Sequence, residues 1–310
     1  MRTAQPDSIC FTHELISAGY SHDELARLTR SGALVHLRRG AYAWGPDQLV
    51  DGSELYRRLI LATMPFLAAG TVVSHESAAV LHGLPVWGAR VGVVHVTRMK
   101  VTRGKRRGGV HLHTAPLPTS DVVELAGLPV TSLARTVVDL ARTLTVDHAV
   151  CAGDAALRAG CRTDELDEML AEASGWPGIQ RARRVVEFLD GRSESAGESR
   201  SRVVFARLGL PAPVPQYEVF DDDGVLVGRS DFGWEAFRTL GEFDGKVKYG
   251  RLLKPGQPPG DAVYLEKRRE DAMRDLTWEM VRWGWIDFDD EQALGARVRR
   301  AFARGVARGR

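Results

Sequence analysis

The chain has few cysteines, and no two of them have the close spacing of a metal-binding motif. Three cysteines (Cys10, Cys151 and Cys161) occur in 310 residues. An odd number of widely separated thiols excludes a disulfide framework and a thiolate zinc site, and it indicates a reducing compartment.

Long apolar runs are also missing. The longest, Leu59 to Val73, is interrupted by Thr63, Pro65 and Gly70. It is shorter than the ~20 apolar residues that span a bilayer. The first ten residues lack the apolar core of a secretory signal. These absences predict a cytoplasmic protein with no membrane partner.

Neither sign of charge dominates the chain. It carries 42 basic and 40 acidic residues, a formal net charge of +2, so contact with a polyanion has to come from local patches. The segment from Arg98 to Arg107 contains six basic residues and no acidic residue. It is interpreted either as an arm that lies along nucleic-acid phosphates or as a solvated loop. Apolar residues make up 44% of the chain, which excludes a disordered or fibrous protein.

Histidine is absent from the second half. All nine histidines lie between His13 and His148. A site in the C-terminal half therefore has to use carboxylates, lysines and hydroxyls.

The N-terminal residues have the pattern of a winged helix-turn-helix. A short helical segment, Phe11 to Ala18, ends before Gly19, and Ser21 and Glu24 have the spacing of a capping box that starts a second helix. A hairpin with Arg39-Gly40 at its turn follows. This order suits a helix in the DNA major groove beside a basic wing. The predicted DNA-binding residues lie on the exposed side of the second helix and at the wing tip: His22, Arg27, Arg30, Arg38 and Arg39. The alternative is a module for protein contact with solvated arginines.

Three segments resemble AbiEi-family antitoxins of type IV toxin–antitoxin systems: Leu28–Tyr42, Ser74–Leu84 and Thr131–Arg142. The resemblance extends over residues ~10–190. It implies a DNA-binding repressor or antitoxin without enzymatic chemistry in that part, and a nucleotidyltransferase-like toxin as partner.

The middle region alternates between helical and strand patterns. His111 and His113 share one face of a predicted strand, because side chains alternate along it. With no third ligand close by in the sequence, we expect no metal there. We expect His75 and His82 to be packing groups or helix-end groups.

The C-terminal half contains a candidate acidic site. Two predicted strands, Gly228–Trp234 and Leu240–Tyr249, are close enough in sequence to form a hairpin that brings Asp231 to Asp244. Four charged residues alternate along the second strand and share one side, Glu242, Asp244, Lys246 and Lys248. A predicted helix upstream brings Glu198 to the same place. Carboxylates in such an arrangement hold Mg²⁺ for phosphodiester cleavage, and a lysine offsets developing negative charge.

This arrangement resembles the PD-(D/E)xK nuclease superfamily, with Asp231 and Asp244-Gly-Lys246 as its motif. Residues ~194–290 are similar to very-short-patch-repair-endonuclease-like domains. The resemblance implies Asp231, Asp244 and Glu198 as Mg²⁺ ligands. Lys248 stands where many such domains carry a histidine. Two registers compete, Asp244 with Lys246 or Glu242 with Lys248, and the first gives the acid-x-lysine spacing directly.

The sequence thus predicts an α+β multidomain protein in three parts. These are a winged helix-turn-helix (1–50), an α/β antitoxin-like domain (51–190), and a restriction-endonuclease-like domain with a basic tail (191–310). The first functional hypothesis is a DNA-binding transcriptional regulator and antitoxin of the AbiEi type that carries a nuclease-like C-terminal domain. A nuclease fold kept only for binding is compatible with it, since a fold alone does not give a function. The alternatives are a Mg²⁺-dependent endonuclease targeted by the N-terminal module, and an adaptor that neutralises a toxin without contacting DNA.

Overall fold

The computed structural model describes residues 9–45, 52–86, 92–99, 105–245 and 268–309. These residues form a mixed α+β structure with three sheets. Contacts divide the chain into two compact units, 1–144 with 161–183, and 145–160 with 184–310. The three-part division stays a prediction. No helix in the described ranges combines the length and apolar composition needed to cross a bilayer.

The first unit opens with a small helical module on a three-stranded sheet. Its elements are β1 (Ile9–Phe11), α1 (Thr12–Ser17), α2 (His22–Arg30), β2 (Leu34–Arg38) and β3 (Ala41–Trp44), with sheet order β1-β3-β2. The Ser21–Glu24 capping box is confirmed, since Glu24 N donates to Ser21 Oγ at 3.2 Å and Ser21 N donates to Glu24 Oε2 at 2.8 Å. Leu15, Leu25 and Leu34 form its buried core.

The rest of the first unit is built around a six-stranded mixed sheet of order β6-β7-β5-β4-β9-β8. Its strands are β4 (Thr71–Val73), β5 (Val94–Arg98), β6 (Lys105–Arg107), β7 (Val110–Thr114), β8 (Val122–Leu125) and β9 (Leu128–Thr131). The helices are α3 (Gly52–Thr63), α4 (His75–Leu81), α5 (Leu133–Thr143) and α7 (Thr163–Glu172). Apolar residues of α3, α4 and the central strands form the core, among them Ile60, Ala78 and Val96.

Strands β5 and β7 are parallel neighbours, and the antiparallel partner of β7 is the edge strand β6. Because β5 and β7 are parallel, the basic segment between Arg98 and Arg107 does not join them as a simple hairpin. Its second part forms a tight β6–β7 hairpin through Gly108 and Gly109, which both have positive φ. Residues 100–104 lie outside the described part.

The second unit has a four-stranded sheet of order β10-β11-β12-β13. Its strands are β10 (Val214–Phe220), β11 (Leu226–Trp234), β12 (Thr239–Asp244) and β13 (Glu279–Gly284). The first three are antiparallel neighbours, and β12 and β13 are parallel. The helices are α6 (Val146–Arg158), α9 (Ala196–Arg207), a segment at 268–275 that we label α10, and α11 (Glu291–Arg308). Helix α8 (Ile179–Phe188) runs across the boundary between the two units.

Two hydrophobic clusters pack helices against this sheet. One joins residues of α9 and α11 to the strands, with Phe205, Phe232, Trp283 and Phe302 at its centre. The other contains Met273 of α10 with Leu240 and Met280 of the strands. The β11–β12 hairpin is confirmed, with Phe232 opposite Gly241.

Candidate functional site

Four histidines of the first unit lie together, although the sequence separates them widely. Pairing of β5 with β7 puts His95 opposite His111 and Thr97 opposite His113. Since side chains alternate along a strand, all three imidazoles project from one face of the sheet. His95 Nδ1 lies 3.0 Å from His113 Nε2. The fourth, His75, is the first residue of α4.

The four imidazole rings form a compact stack. His75 stacks on His113 with centroids 3.7 Å apart, and the His111 and His113 centroids are 3.9 Å apart. His75 has φ 52°, in the left-handed region that non-glycine residues seldom occupy. Its ring Nδ1 is 3.0 Å from Ser74 Oγ, which accepts a hydrogen bond from Thr97 Oγ1. A strained residue held by a buried polar network is typical of functional sites.

Charged groups of both signs border the stack. The Glu76 carboxylate lies 3.2 Å from His95 Nδ1, and Asp139 lies 4.0 Å from His75 Nδ1. From the other side, Arg106 Nε donates to His111 Nδ1 at 3.3 Å.

Burial makes the neutral form of these imidazoles the stable one. Desolvation lowers the pKa of His75 well below its ordinary value, and the nearby His95 lowers it further. Burial lowers the pKa of His95 to about 4, and it also lowers the pKa of His111 and His113. Neutral imidazole is the form that binds metal ions.

The structure supplies a third potential ligand beside His111 and His113. Each of three histidines, His95, His111 and His113, offers one ring nitrogen. These three nitrogens lie within 4.8 Å of one another, which is the geometry of a candidate metal site. The third ligand comes from the neighbouring strand, a partner that spacing along the chain does not reveal. His75 is a buried packing group at a helix start, as expected. His82 Nε2 lies 2.7 Å from the Thr131 carbonyl oxygen.

A cavity of about 310 Å³ adjoins the histidines. His75, His111 and His113 line one part of it, and Arg135, Arg142, Asp139 and Trp176 line another. The cavity therefore combines imidazole, guanidinium, carboxylate and indole groups.

A buried ion network lines part of this cavity. Asp139 accepts from Arg135 Nε at 2.9 Å and from Arg142 NH1 at 2.8 Å. Arg135, which is 0% exposed, also donates to Asp121 at 2.8 Å and to the Pro116 carbonyl. Its NH2 group has no hydrogen-bond partner among the residues that the structure describes. Such a network stays stable only while each charge keeps its counter-charge.

The N-terminal DNA-binding candidates lie largely on an exposed surface. His22, Arg27 and Arg30 are exposed on α2, the Arg27 side chain to 71%. Arg39 is exposed at the hairpin turn between β2 and β3. Arg38 differs from its expected place, because its guanidinium lies 4.9 Å from the Phe66 ring centroid and contacts the Thr63 carbonyl at 3.4 Å.

In the second unit, Glu198 and Asp231 are tied to neighbouring strands. Glu198, which is 2% exposed, accepts from Ser195 Oγ at 2.7 Å and Gln216 Nε2 at 2.8 Å. Gln216 lies on β10 between the register pairs Pro215–Phe232 and Tyr217–Ser230, and its φ is 53°. Asp231 Oδ2 accepts from the Phe243 amide at 2.8 Å.

Glu242 already has cationic partners. Its two carboxylate oxygens accept from Arg269 NH2 at 2.8 Å and from Arg282 NH2 at 3.0 Å. Since these arginines lie on α10 and β13, the ion pairs tie three elements together. A carboxylate neutralised in this way is a poor metal ligand.

The proposed acid-x-lysine site is described only in part. Asp244 is exposed at the end of β12, while Lys246 and Lys248 lie outside the described residues. Within the described ranges, the three histidines are the one group of at least three potential ligands close enough for a metal. The Mg²⁺ site at Asp231, Asp244 and Glu198 stays a prediction.

Residues 68–188 match the family model of the AbiEi antitoxin C-terminal domain. The match includes two of the three segments that carried the resemblance, Ser74–Leu84 and Thr131–Arg142, and excludes Leu28–Tyr42. It also includes the four histidines and the buried ion network. This domain indicates an antitoxin role in a toxin–antitoxin system.

Two curated relatives come from Mycobacterium tuberculosis, uncharacterized protein MT2308 of strain CDC 1551 and uncharacterized protein Rv2248 of strain H37Rv. Each is 30% identical over 290 residues, covering 91% of this chain and 95% of the relative. The chain belongs to their family. The crystal structure of the RV2827C protein from Mycobacterium tuberculosis aligns at 18% identity and TM-score 0.37, covering 69% of this chain and 83% of that chain.

We predict that Asp139→Asn destabilises the family domain by about 3 kcal/mol, because it removes one of the two carboxylates that pair with the buried Arg135 and also the carboxylate that pairs with Arg142. Hydrogen exchange of the α5 amides measures the local free energy of opening. The control is Asp167→Asn on the exposed face of α7, which we expect to change it by less than about 0.5 kcal/mol. Equal effects of the two substitutions would show that the network adds no stability.

Proposed function

We propose that this protein is a DNA-binding antitoxin and transcriptional regulator of the AbiEi type, with a winged helix-turn-helix at its N-terminus. The observation that carries the proposal is the surface of α2. His22, Arg27 and Arg30 are exposed there, while Leu25 on the opposite side is buried.

The local geometry of the module supports this proposal. The capping box starts α2 cleanly after the turn at Gly19, and the β2–β3 hairpin follows with exposed Arg39 at its tip. Arginine presents several donors in a fixed fork, which suits phosphate oxygens and guanine edges. Arg38 is a support for the wing in this proposal, because its guanidinium packs on Phe66.

The antitoxin part of the proposal rests on the domain at 68–188. A cognate toxin, nucleotidyltransferase-like as the AbiEi resemblance implies, is the expected protein partner. A protein that neutralised such a toxin but bound no DNA would be the adaptor of the alternative hypothesis.

We predict that the double variant Arg27→Ala, Arg39→Ala weakens DNA binding and flattens its salt dependence. Each lost phosphate contact reduces the slope of log K against log [salt] by about one unit. Gel shifts with a duplex from upstream of the protein's own gene, at several salt concentrations, measure this. Arg162→Ala is the control, an exposed arginine of the same unit that pairs with Asp164.

An unchanged slope in the double variant would contradict the assignment of α2 and the wing. Absence of DNA binding by the wild-type protein at low salt would remove the regulator proposal and leave the adaptor.

A second candidate function is Mg²⁺-dependent DNA cleavage by the C-terminal unit. One observation favours it: the buried Glu198 carboxylate accepts a hydrogen bond from Gln216 on β10, the strand that pairs with the strand of Asp231. Gly197, just before Glu198, allows close approach of α9 to β12, because a Cβ there would overlap the Phe243 ring. In this hypothesis Asp231, Asp244 and Glu198 hold the ion, and Lys246 offsets charge on the phosphate.

We predict Mg²⁺-dependent nicking of supercoiled plasmid by the wild-type protein, reduced to the metal-free background in Asp231→Asn and Lys246→Ala. Both substitutions remove groups assigned to the metal or the phosphate. Asp222→Asn, at an exposed turn, is the control that retains activity. If the wild-type protein does not nick DNA with Mg²⁺, the enzyme hypothesis is wrong.

A further inference from the structure

We propose that His95, His111 and His113 form a binding site for a divalent transition-metal ion of the zinc type within the family domain. The site is distinct from the predicted Mg²⁺ site of the C-terminal unit. It also does not depend on the assignment of DNA binding to the N-terminal module.

The spacing of the donor atoms fits a small four-coordinate ion. In a tetrahedral site with metal–nitrogen bonds of 2.0–2.1 Å, neighbouring ligand atoms stand about 3.3 Å apart. His95 Nδ1 and His113 Nε2 are 3.0 Å apart, and the His111 nitrogen lies within 4.8 Å of both. Small rotations of half-buried rings therefore suffice to place all three around one ion.

The chemistry of the donors selects the class of metal. Three imidazoles are suitable ligands for Zn²⁺, Co²⁺, Ni²⁺ or Cu²⁺, whereas Mg²⁺ and Ca²⁺ prefer oxygen ligands. The Glu76 carboxylate, 3.2 Å from His95 Nδ1, supplies negative charge beside the ion. The cation that contacts a ligand is Arg106, which is exposed and makes a long hydrogen bond of 3.3 Å to His111. Metal binding at His111 displaces this contact at little cost.

The surrounding structure holds the ligands in place. Two of them lie on β7 and the third on the paired strand β5, so backbone hydrogen bonds fix their spacing. His75 stacks on His113, and Ser74 and Thr97 fix the start of α4. His75 is a positioning residue in this proposal, and its buried ring limits rotation of His113.

The cavity gives the ion an open side. Its wall includes His111 and His113, with Arg135 and Arg142 also lining it. Three protein ligands beside a cavity leave a coordination position for water or a small anion, as in open zinc sites.

We test this proposal by competition between the full-length, tag-free protein and a chromophoric zinc chelator. We expect one Zn²⁺ per chain with micromolar or tighter affinity. His95→Ala and His113→Ala should each lower the affinity by about 100-fold or more. His13→Ala, an exposed histidine of the same unit, is the control that leaves the affinity unchanged.

Two further measurements keep the test decisive if a histidine variant folds poorly. Arg106→Ala, an exposed substitution, should tighten Zn²⁺ binding, because it removes the competing donor to His111. X-ray absorption of the wild-type zinc complex should show three imidazole ligands. The proposal is overturned if the wild-type protein does not retain Zn²⁺ against the chelator, or if the absorption spectrum shows fewer than three imidazoles.

Discussion

The parallel pairing of β5 with β7 is the constraint on which the candidate site depends. It sets His95 opposite His111 and thereby gathers three imidazoles on one face of the sheet. A shift of one residue along β5 would turn His95 to the other face, because side chains alternate with a period of two. Burial then keeps the imidazoles neutral, and the start of α4 packs His75 against them. Fold and site chemistry are thus coupled through a single strand pair.

The molecule separates groups that hold the fold from groups available for recognition. Asp139 with Arg135 and Arg142 lies in the first class, as do Glu242 with Arg269 and Arg282, since in each set the carboxylate is buried and neutralised. Arg27, Arg30 and Arg39 lie in the second, because their side chains are exposed. Some arginines of the chain therefore stabilise the fold, while others are available to bind a partner. For this reason the near-neutral overall charge says little about where DNA or a toxin binds.

Local patterns in the sequence predicted local structure well. The capping box at Ser21 and Glu24 and the β11–β12 hairpin both follow from spacing over a few residues, and the structure confirms them. The histidine site could not be predicted in this way, since 18 residues separate His95 from His113 and only strand order brings them together. For the same reason the packing of Arg38 on Phe66 and the pairing of Glu242 with Arg282 were not visible in the sequence. Contacts between distant segments depend on topology, which residue spacing alone does not determine.

The most direct test of this account is the register of β5 against β7 in solution. Interstrand nuclear Overhauser effects between backbone protons, recorded on deuterated protein with selectively labelled histidine, report which residues are neighbours. The account predicts contacts that pair His95 with His111 and Thr97 with His113 in a parallel arrangement. Contacts shifted by one residue, or an antiparallel pattern, would separate the three imidazoles and contradict it.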